Sequence, residues 1–359
     1  MPTDNFAAHQ ADDLTAPAEL AEYTQPADFS APAENAENTQ PLIPQSELEI
    51  DWLLVETEKQ LLAAVADLAR YSGMFAIDAE RASGYRYFNS AYLVQVKRSD
   101  SPIYLFDPVA VKDFEPLAKL LNSEGWILHS GRHDLACLEE LGLKPPRVWD
   151  TEVAATLLKL PRIGLGKLVA DLLGIELDKA HSAEDWSERP LPDEWLDYAA
   201  IDVEFLQEIK DILTAQAVES GRTDLLEKEF EKIRCAEPKP ARIDPWRRVS
   251  GIQAVQRDNR ALNIVRELWQ ARDAYGREHD IAPYRVLPDR CILAAATVKP
   301  RSEDGLLRMR NFRGGEAKTE SALWWQAIKR GKASEDNLVR RRPVPPHLRR
   351  KQAPESAEN

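Results

Sequence analysis

The sequence predicts a layered α/β domain followed by an all-α domain. Strand-like and helix-like segments alternate between residues 51 and 215, and mainly helix-like segments follow from about 216 to 330. Such alternation is typical of a domain in which helices cover a sheet. Between the two regions lies Pro238-Lys239-Pro240-Ala241-Arg242, which cannot continue a helix because proline lacks the backbone donor and restricts the residue before it. We therefore expect a hinge there.

Hydrophobic periodicity indicates the individual elements. Apolar residues that recur every three or four positions predict helices, and short apolar or alternating runs bounded by turn residues predict strands. In the first region, helices are expected at 61–71, 114–121 and 133–141, and strands at 74–80, 91–97, 103–108 and 125–129. In the second region, helices are expected at 253–278, 287–296 and 319–329.

Charge is unevenly distributed along the chain. The formal net charge of the 359 residues is −13, but residues 1–50 hold ten acids and no Lys or Arg. That stretch is rich in Ala and Pro and has few large apolar residues, so we expect it to be disordered. Residues 299–351 carry fifteen basic and six acidic residues. Such a basic stretch either neutralises nucleic-acid phosphates or is an ordinary solvated tail.

These observations predict five segments. They are an acidic disordered tail at 1–50, an α/β domain at 51–215, a helical linker at 216–243, a helical domain at 244–330 and a basic tail at 331–359. The length of the chain is sufficient for two domains with tails.

The composition argues against several classes of protein. No uninterrupted apolar run reaches the about 18 residues of a membrane span, and the first five residues lack the pattern of a secretion signal. Cys137, Cys235 and Cys291 are too few for a disulfide framework and wrongly spaced for a zinc cage. We therefore expect a cytoplasmic protein with no membrane contact.

The strongest chemical signal is the run Phe75-Ala76-Ile77-Asp78-Ala79-Glu80 at the end of a predicted strand. Side chains alternate between the two faces of a strand, so Asp78 and Glu80 point to the same side. Two acids at the end of an apolar strand are costly to bury unless a cation holds them. A divalent metal site is one interpretation, and the other is that the strand has ended and both acids are solvated.

A second acid lies where a short apolar strand gives way to a helix. Asp134 stands near the start of that helix, in His129-Ser130-Gly131-Arg132-His133-Asp134. Asp at such a position is ordinarily an N-cap, yet a carboxylate there also lies beside the end of a parallel sheet, where α/β folds bind ligands. His129 and His133 have no partner at a zinc-like spacing, so we interpret them as positioning or phosphate-contacting residues.

The third element is a predicted helix that carries Tyr198 and Asp202. Residues four apart share a helix face, so these two side chains point the same way. The two alanines after Tyr198 leave one side of the helix thin enough to pack closely on a sheet. Asp197 and Glu204 fall on other faces, where we expect them to be solvated.

In this order, the three elements resemble the DEDDy branch of 3′→5′ exonucleases, and further motifs resemble ribonuclease D. These motifs are Asp150-Thr151-Glu152, Leu177-Asp178-Lys179, Asp185-Trp186-Ser187-Glu188-Arg189-Pro190-Leu191 and Tyr198-Ala199-Ala200-Ile201-Asp202-Val203. The second region resembles the helicase-and-RNase-D C-terminal (HRDC) domain through Ala271-Arg272-Asp273 and Pro283-Tyr284-Arg285-Val286-Leu287-Pro288-Asp289. The resemblance implies an RNase H-like DEDD exonuclease domain followed by an all-α HRDC-like domain.

The resemblance also implies a metal-dependent active site. In that family four carboxylates hold two Mg²⁺ or Mn²⁺ ions, and the matching residues are Asp78, Glu80, Asp134 and Asp202. Oxygen ligands suit these hard cations. Tyr198 matches the residue that orients the attacking water and helps to deprotonate it. The expected products are nucleoside 5′-monophosphates released one at a time from RNA 3′ ends, for example those of tRNA precursors.

Contacts with RNA are expected beyond the metal ligands. His133 is a candidate, and Tyr85 and Tyr87 either stack on a base or pack in the core. In the basic tail, Arg340, Arg341 and Arg342 are candidates for phosphate contacts. Ala79 and residues 81–87 differ from the usual family pattern, which leaves the ligands intact but alters the expected wall of the nucleotide pocket.

Two other functions stay open at this point. A DNA exonuclease is the first, and a catalytically silent nucleic-acid-binding module is the second. The silent module is disfavoured because all five active-site positions hold competent residues. The run Gly164-Leu165-Gly166-Lys167 lacks the spacing and the Ser or Thr of a nucleotide-binding loop. We therefore expect a turn at which a helix begins, and neither NTP binding nor helicase activity.

Overall fold

The computed structural model describes residues 42–178, 184–237 and 242–339. Among them, the residues up to 237 form one compact unit and those from 242 form a second. Most of the expected acidic tail (1–41), most of the expected hinge (238–241) and the end of the expected basic tail (340–359) lie outside the described residues.

The first unit alternates strands and helices, as the sequence predicts. In chain order its elements are β1 (Ile43–Pro44), β2 (Trp52–Val55), α1 (Glu58–Leu68), β3 (Phe75–Arg81), β4 (Ala91–Arg98), β5 (Ile103–Phe106), α2 (Glu115–Leu121), β6 (Trp126–Leu128), α3 (Asp134–Glu140), β7 (Val148–Asp150), α4 (Thr151–Leu157), α5 (Leu165–Leu173), β8 (Ile175–Glu176), α6 (Asp193–Glu204), α7 (Leu206–Glu219) and α8 (Thr223–Arg234). Every helix and strand predicted up to residue 141 is present, with boundaries that differ by up to three residues. The largest difference is at α1, which begins early because Thr57 caps it by accepting from the Gln60 N–H.

Six strands form a mixed sheet in the order β2-β5-β4-β3-β6-β7. β4 is antiparallel to both of its neighbours, and the other pairs are parallel. Helices cover both faces of this sheet: α6 packs on one through Leu196 and Ala200, and α1 and α2 pack on the other through Leu61 and Leu117. This architecture confirms the predicted α/β fold class.

Two stretches that we expected to lie outside the α/β domain belong to the first unit. Residues 42–50 include β1, which pairs in parallel with β8. The prediction of disorder through residue 50 is therefore wrong for 42–50, because the backbone of Ile43 and Pro44 pairs with a distant segment. The expected linker at 216–243 contains α8, whose Phe230 packs on Trp149 with ring centroids 5.1 Å apart. Residues 216–234 thus contribute to the core of the first unit.

The second unit is helical, which confirms that prediction. Its elements are α9 (Asn259–His279), α10 (Pro283–Val286), α11 (Asp289–Val298), α12 (Glu303–Leu307), α13 (Gly315–Thr319) and α14 (Ser321–Ala333). The helix expected at 253–278 begins only at Asn259, because Asp258 caps it by accepting from the Ala261 N–H, and residues 252–255 form a separate 3₁₀ turn. Within the described residues, no helix is both long and apolar enough to cross a membrane.

Candidate active site

Three acidic side chains meet where β3 faces α6. Asp78 and Glu80 lie two residues apart on β3, and Asp202 lies in the last turn of α6. One carboxylate oxygen from each of the three lies within 4.8 Å of the other two. The alternation along a strand places the first two acids on one face of the sheet. The packing of α6 on that face then adds the third.

Asp134, the fourth predicted acid, lies beside this group at the start of α3. It is buried, and its negative charge contributes to raising the pKa values of Glu80 and Asp202. The N-cap interpretation is wrong, because His133 occupies the N-cap position of α3, and its side chain makes no capping hydrogen bond. Asp134 instead forms an ion pair with Arg81, whose Nε lies 3.3 Å from Asp134 Oδ1.

The turn that presents Asp134 is held by another buried acid, Asp150. Asp150 Oδ1 accepts from the Ser130 N–H over 3.2 Å, and Oδ2 accepts from the Gly131 N–H over 2.9 Å. The same carboxylate caps α4 by accepting from two N–H groups in its first turn. Ser130 has a φ of 57°, a left-handed conformation that is uncommon for residues other than glycine. Asp150 therefore stabilises a strained turn and, through it, the position of Asp134.

Tyr198 lies one helical turn before Asp202 on α6, and its hydroxyl donates a hydrogen bond to the Asp202 carboxylate. Burial raises the pKa of Tyr198 above its ordinary value, and the nearby charges of Asp202 and Glu80 raise it further. The phenol therefore keeps its proton at neutral pH. It can act through hydrogen bonds, but not as an ionised base.

Burial is the main cause of the unusual electrostatics of the four acids. It raises the pKa of Asp78 to about 6 and that of Asp134 to about 8. The pKa values of Glu80 and Asp202 are also raised, first by burial and then by neighbouring carboxylates. Buried acids so close together favour a bound cation or a proton over isolated negative charges. Their all-oxygen donor set fits the hard cations Mg²⁺ and Mn²⁺.

The residues predicted to contact RNA differ in their surroundings. His133 is exposed beside Asp134, and Tyr85 is partly buried. Tyr87 is 1% exposed and packs edge-on against Phe88 with ring centroids 5.2 Å apart, so of its two interpretations the structure supports packing in the core over base stacking. The run Arg340-Arg341-Arg342 lies outside the described residues. Contacts of His133 and Tyr85 with RNA stay predictions.

Two acids on α6 that we expected to be solvated have partners in the first unit. Trp52 Nε1 donates to Asp197 Oδ1 over 2.7 Å, and Lys97 Nζ lies 2.7 Å from Glu204 Oε2. Helix periodicity cannot reveal such pairs, because the partners come from distant strands. Gly164 is the N-cap of α5, so residues 164–167 form the turn at which a helix begins, as the sequence indicates.

One polar side chain beside the acids escaped the sequence analysis. Gln95 lies on β4 directly opposite Asp78, so both side chains are on the same face of the sheet. It is fully buried, and neither of its amide atoms has a hydrogen-bond partner among the described residues. Its sequence signal is a single polar residue within the apolar run Leu93-Val94-Gln95-Val96.

Comparison with known proteins decides the family. A sequence model described as 3′-5′ exonuclease matches residues 53–217, and one described as HRDC domain matches residues 261–328. A ribonuclease D of Zymomonas mobilis subsp. mobilis is 30% identical over 264 residues, which are 72% of this chain and 67% of that relative. The chain belongs to the ribonuclease D family. The resemblance seen in the motifs is thus confirmed, and the chain is an exonuclease of the 3′→5′ type.

Solved structures of other proteins have a similar fold. A protein from Bifidobacterium adolescentis matches with a TM-score of 0.74 and 33% identity, covering 86% of this chain and 80% of that one. Escherichia coli RNase D matches with a TM-score of 0.63 and 22% identity, covering 81% and 78%, and shows the shared fold. The chain spans about two thirds of the length of further ribonuclease D relatives, 69% and 64% for two of them.

Proposed function

We propose that this protein is a metal-dependent exoribonuclease that removes nucleoside 5′-monophosphates one at a time from RNA 3′ ends. The observation that carries the proposal is the convergence of Asp78, Glu80 and Asp202 within 4.8 Å, with the Tyr198 hydroxyl bonded to Asp202. Relatives named ribonuclease D support RNA as the substrate. We expect the physiological reaction to be the trimming of tRNA precursors at their 3′ ends.

Asp78, Glu80, Asp134 and Asp202 are the residues that would hold the cations, which we propose to be two Mg²⁺ or Mn²⁺ ions. The chemistry that such ions supply is Lewis acidity toward phosphate oxygens and a lowered pKa of the attacking water. Once ionised, these carboxylates contribute negative charge from β3, α3 and α6. Their raised pKa values mean that cation binding must displace protons, so binding weakens as the pH falls.

Tyr198 would orient the attacking water. Its hydroxyl proton is donated to Asp202, which leaves the phenol oxygen able to accept a hydrogen bond from water. Because the pKa of Tyr198 is raised, this group positions the nucleophile rather than removing its proton. Asp202 in turn fixes the direction in which the hydroxyl points.

The variant Tyr198→Phe is therefore expected to turn over RNA about 10- to 100-fold more slowly, because it lacks only the positioning hydrogen bond. Its metal affinity should stay close to that of the wild-type protein, since all four carboxylate ligands remain. Single-turnover decay of end-labelled RNA and calorimetric Mn²⁺ binding measure the two quantities. Tyr284→Phe, an exposed tyrosine of the second unit, is the control. An unchanged rate in Tyr198→Phe would remove the proposed role.

The proposed substrate and products are tested with end-labelled RNA. A tRNA precursor with a 3′ extension and a DNA oligonucleotide of the same sequence are incubated with Mg²⁺, Mn²⁺ or chelator. We expect a ladder that shortens from the 3′ end of the RNA, 5′-monophosphates as products and no decay in chelator. Faster decay of the DNA would favour a DNA exonuclease. Binding without decay under all conditions would favour the silent module.

A cluster of four cations in the second unit is our proposed RNA contact for the HRDC region. Its members are Arg260, Lys299, Arg301 and Lys332. Lys332 Nζ donates to the Lys299 and Pro300 carbonyls and lies 5.4 Å from the centre of the Trp325 ring. Burial lowers the pKa of Lys332, and the nearby Arg260, Arg301 and Lys299 lower it further. Backbone carbonyls thus hold cations together against their repulsion. Such an arrangement favours a polyanion such as an RNA backbone.

Replacing both Arg260 and Arg301 by Gln is expected to weaken RNA binding at low salt about 10-fold, because two phosphate contacts are lost. The slope of log Kd against log salt should fall by about 1.4, the value for two contacts to a single strand. Turnover of a dinucleotide should not change. The control replaces Arg308 and Arg310, two exposed arginines outside the cluster, by Gln. An equal loss in both double variants would contradict a specific surface.

A further inference from the structure

Arg81 lies next to the acids, and the proposed reaction gives it no role. It ends β3 one residue after Glu80, at a point where the register with β4 skips one residue: Glu80 faces Leu93, but Arg81 faces Ala91. From there its side chain reaches Asp134 at the start of α3. The strand irregularity and the helix start together bring a cation to the edge of a group of buried acids.

The contact between Arg81 and Asp134 is an ion pair without a directional hydrogen bond. Arg81 Nε is buried and has no hydrogen-bond partner among the described residues, although it lies 3.3 Å from Asp134 Oδ1. The Arg81 side chain as a whole is 29% exposed, so it is only partly shielded from solvent. Such a pair can exchange one counter-ion for another without breaking a hydrogen bond.

Charge shows what Arg81 does at this position. Its guanidinium, with Nε 3.3 Å from Asp134 Oδ1, places a positive charge directly beside a buried carboxylate. A divalent cation at the four acids would do the same. The guanidinium and that cation both gain by approaching Asp134, yet they repel each other. Both therefore compete for the same carboxylate.

We propose that Arg81 is a positioning residue that acts as an internal counter-cation, pairing with Asp134 until a divalent ion takes its place. This inference rests on the metal site in the proposed function. If Arg81 only braced Asp134 for metal binding, its loss would loosen a ligand and weaken metal binding. Competition has the opposite consequence, because loss of the guanidinium strengthens metal binding. The sign of the change in metal affinity distinguishes the two roles.

The experiment compares the full-length wild-type protein with Arg81→Met, Arg81→Lys and Arg132→Met. Arg132 is an exposed arginine two residues before Asp134, so its variant controls for the loss of a nearby positive charge. Calorimetry measures Mn²⁺ affinity without RNA, and thermal unfolding is recorded in EDTA and in excess Mn²⁺. Arg81→Met is expected to bind Mn²⁺ about 5- to 20-fold more tightly than wild type. In EDTA it should unfold about 2–5 °C lower, because the acids lose their counter-cation.

Arg81→Lys retains the charge and is expected to stay close to wild type in both measurements. Arg81→Gln should repeat the tighter Mn²⁺ binding, and it replaces Arg81→Met if that variant does not fold. Unchanged or weaker Mn²⁺ binding by the uncharged variants, or equal tightening by Arg132→Met, would overturn the role of Arg81. Absence of Mn²⁺ binding by the wild-type protein would instead overturn the metal site itself, and the role of Arg81 with it.

Discussion

Replacement of Asp202 by Asn is expected to lower the rate of RNA hydrolysis by about 10³-fold or more, while RNA binding stays measurable. Asn has nearly the same shape as Asp but lacks the negative charge that a hard divalent cation requires. Asp202 is also the acceptor for the Tyr198 hydroxyl, so its replacement affects both the metal ligands and the group that orients water. Decay of end-labelled RNA in Mg²⁺ measures the rate of hydrolysis, and fluorescence anisotropy with labelled RNA measures RNA binding.

Asp197→Asn is the matched control for this variant. Asp197 is on the same helix, is exposed and accepts from Trp52 Nε1, which an Asn side-chain oxygen can also do. It should therefore keep wild-type activity although it loses the same charge. Cleavage retained by Asp202→Asn would overturn the assignment of this acid as a metal ligand.

The part of the site that the sequence predicts is the part set by local geometry. The strand alternation that pairs Asp78 with Glu80 and the helical spacing that pairs Tyr198 with Asp202 follow from backbone geometry alone. Their convergence requires α6 to pack on the face of β3 that carries the acids. That packing needs the small Ala199 and Ala200, which are fully buried on the sheet.

The parts of the fold and of the site that the sequence does not predict depend on contacts between distant segments, and periodicity carries no information about such contacts. Trp52 and Asp197 are 145 residues apart, and β1 is ordered by pairing with β8. Tyr87 lies between Arg86 and Phe88, and no local pattern shows that it is buried. An arginine beside a metal-binding motif likewise has no periodic signal. The fold class was therefore predictable, whereas the residues that support the site were not.

Asp150→Ala is expected to destabilise the first unit by about 3–5 kcal/mol, because the turn at Ser130 and Gly131 and the start of α4 lose their shared acceptor at a buried position. The same change should weaken Mn²⁺ binding about 10- to 100-fold at temperatures where the protein is still folded, since a residue that orients a ligand is lost. Asp150→Asn keeps one acceptor oxygen, so its stability and its Mn²⁺ affinity should both lie between those of Asp150→Ala and of the wild-type protein. Chemical unfolding measures the free energy of unfolding, and calorimetric titration measures the Mn²⁺ affinity.

The Mn²⁺ affinity of Asp150→Ala shows whether Asp150 does more than stabilise the fold. Asp258→Ala removes a carboxylate cap of the same kind, but from α9 in the second unit. It should lower stability and leave Mn²⁺ affinity unchanged. Wild-type Mn²⁺ affinity in folded Asp150→Ala would mean that Asp134 keeps its position without this acid. Weaker binding in Asp150→Ala alone would mean that metal affinity depends on a carboxylate that is not one of the four proposed ligands, because that carboxylate determines where Asp134 lies.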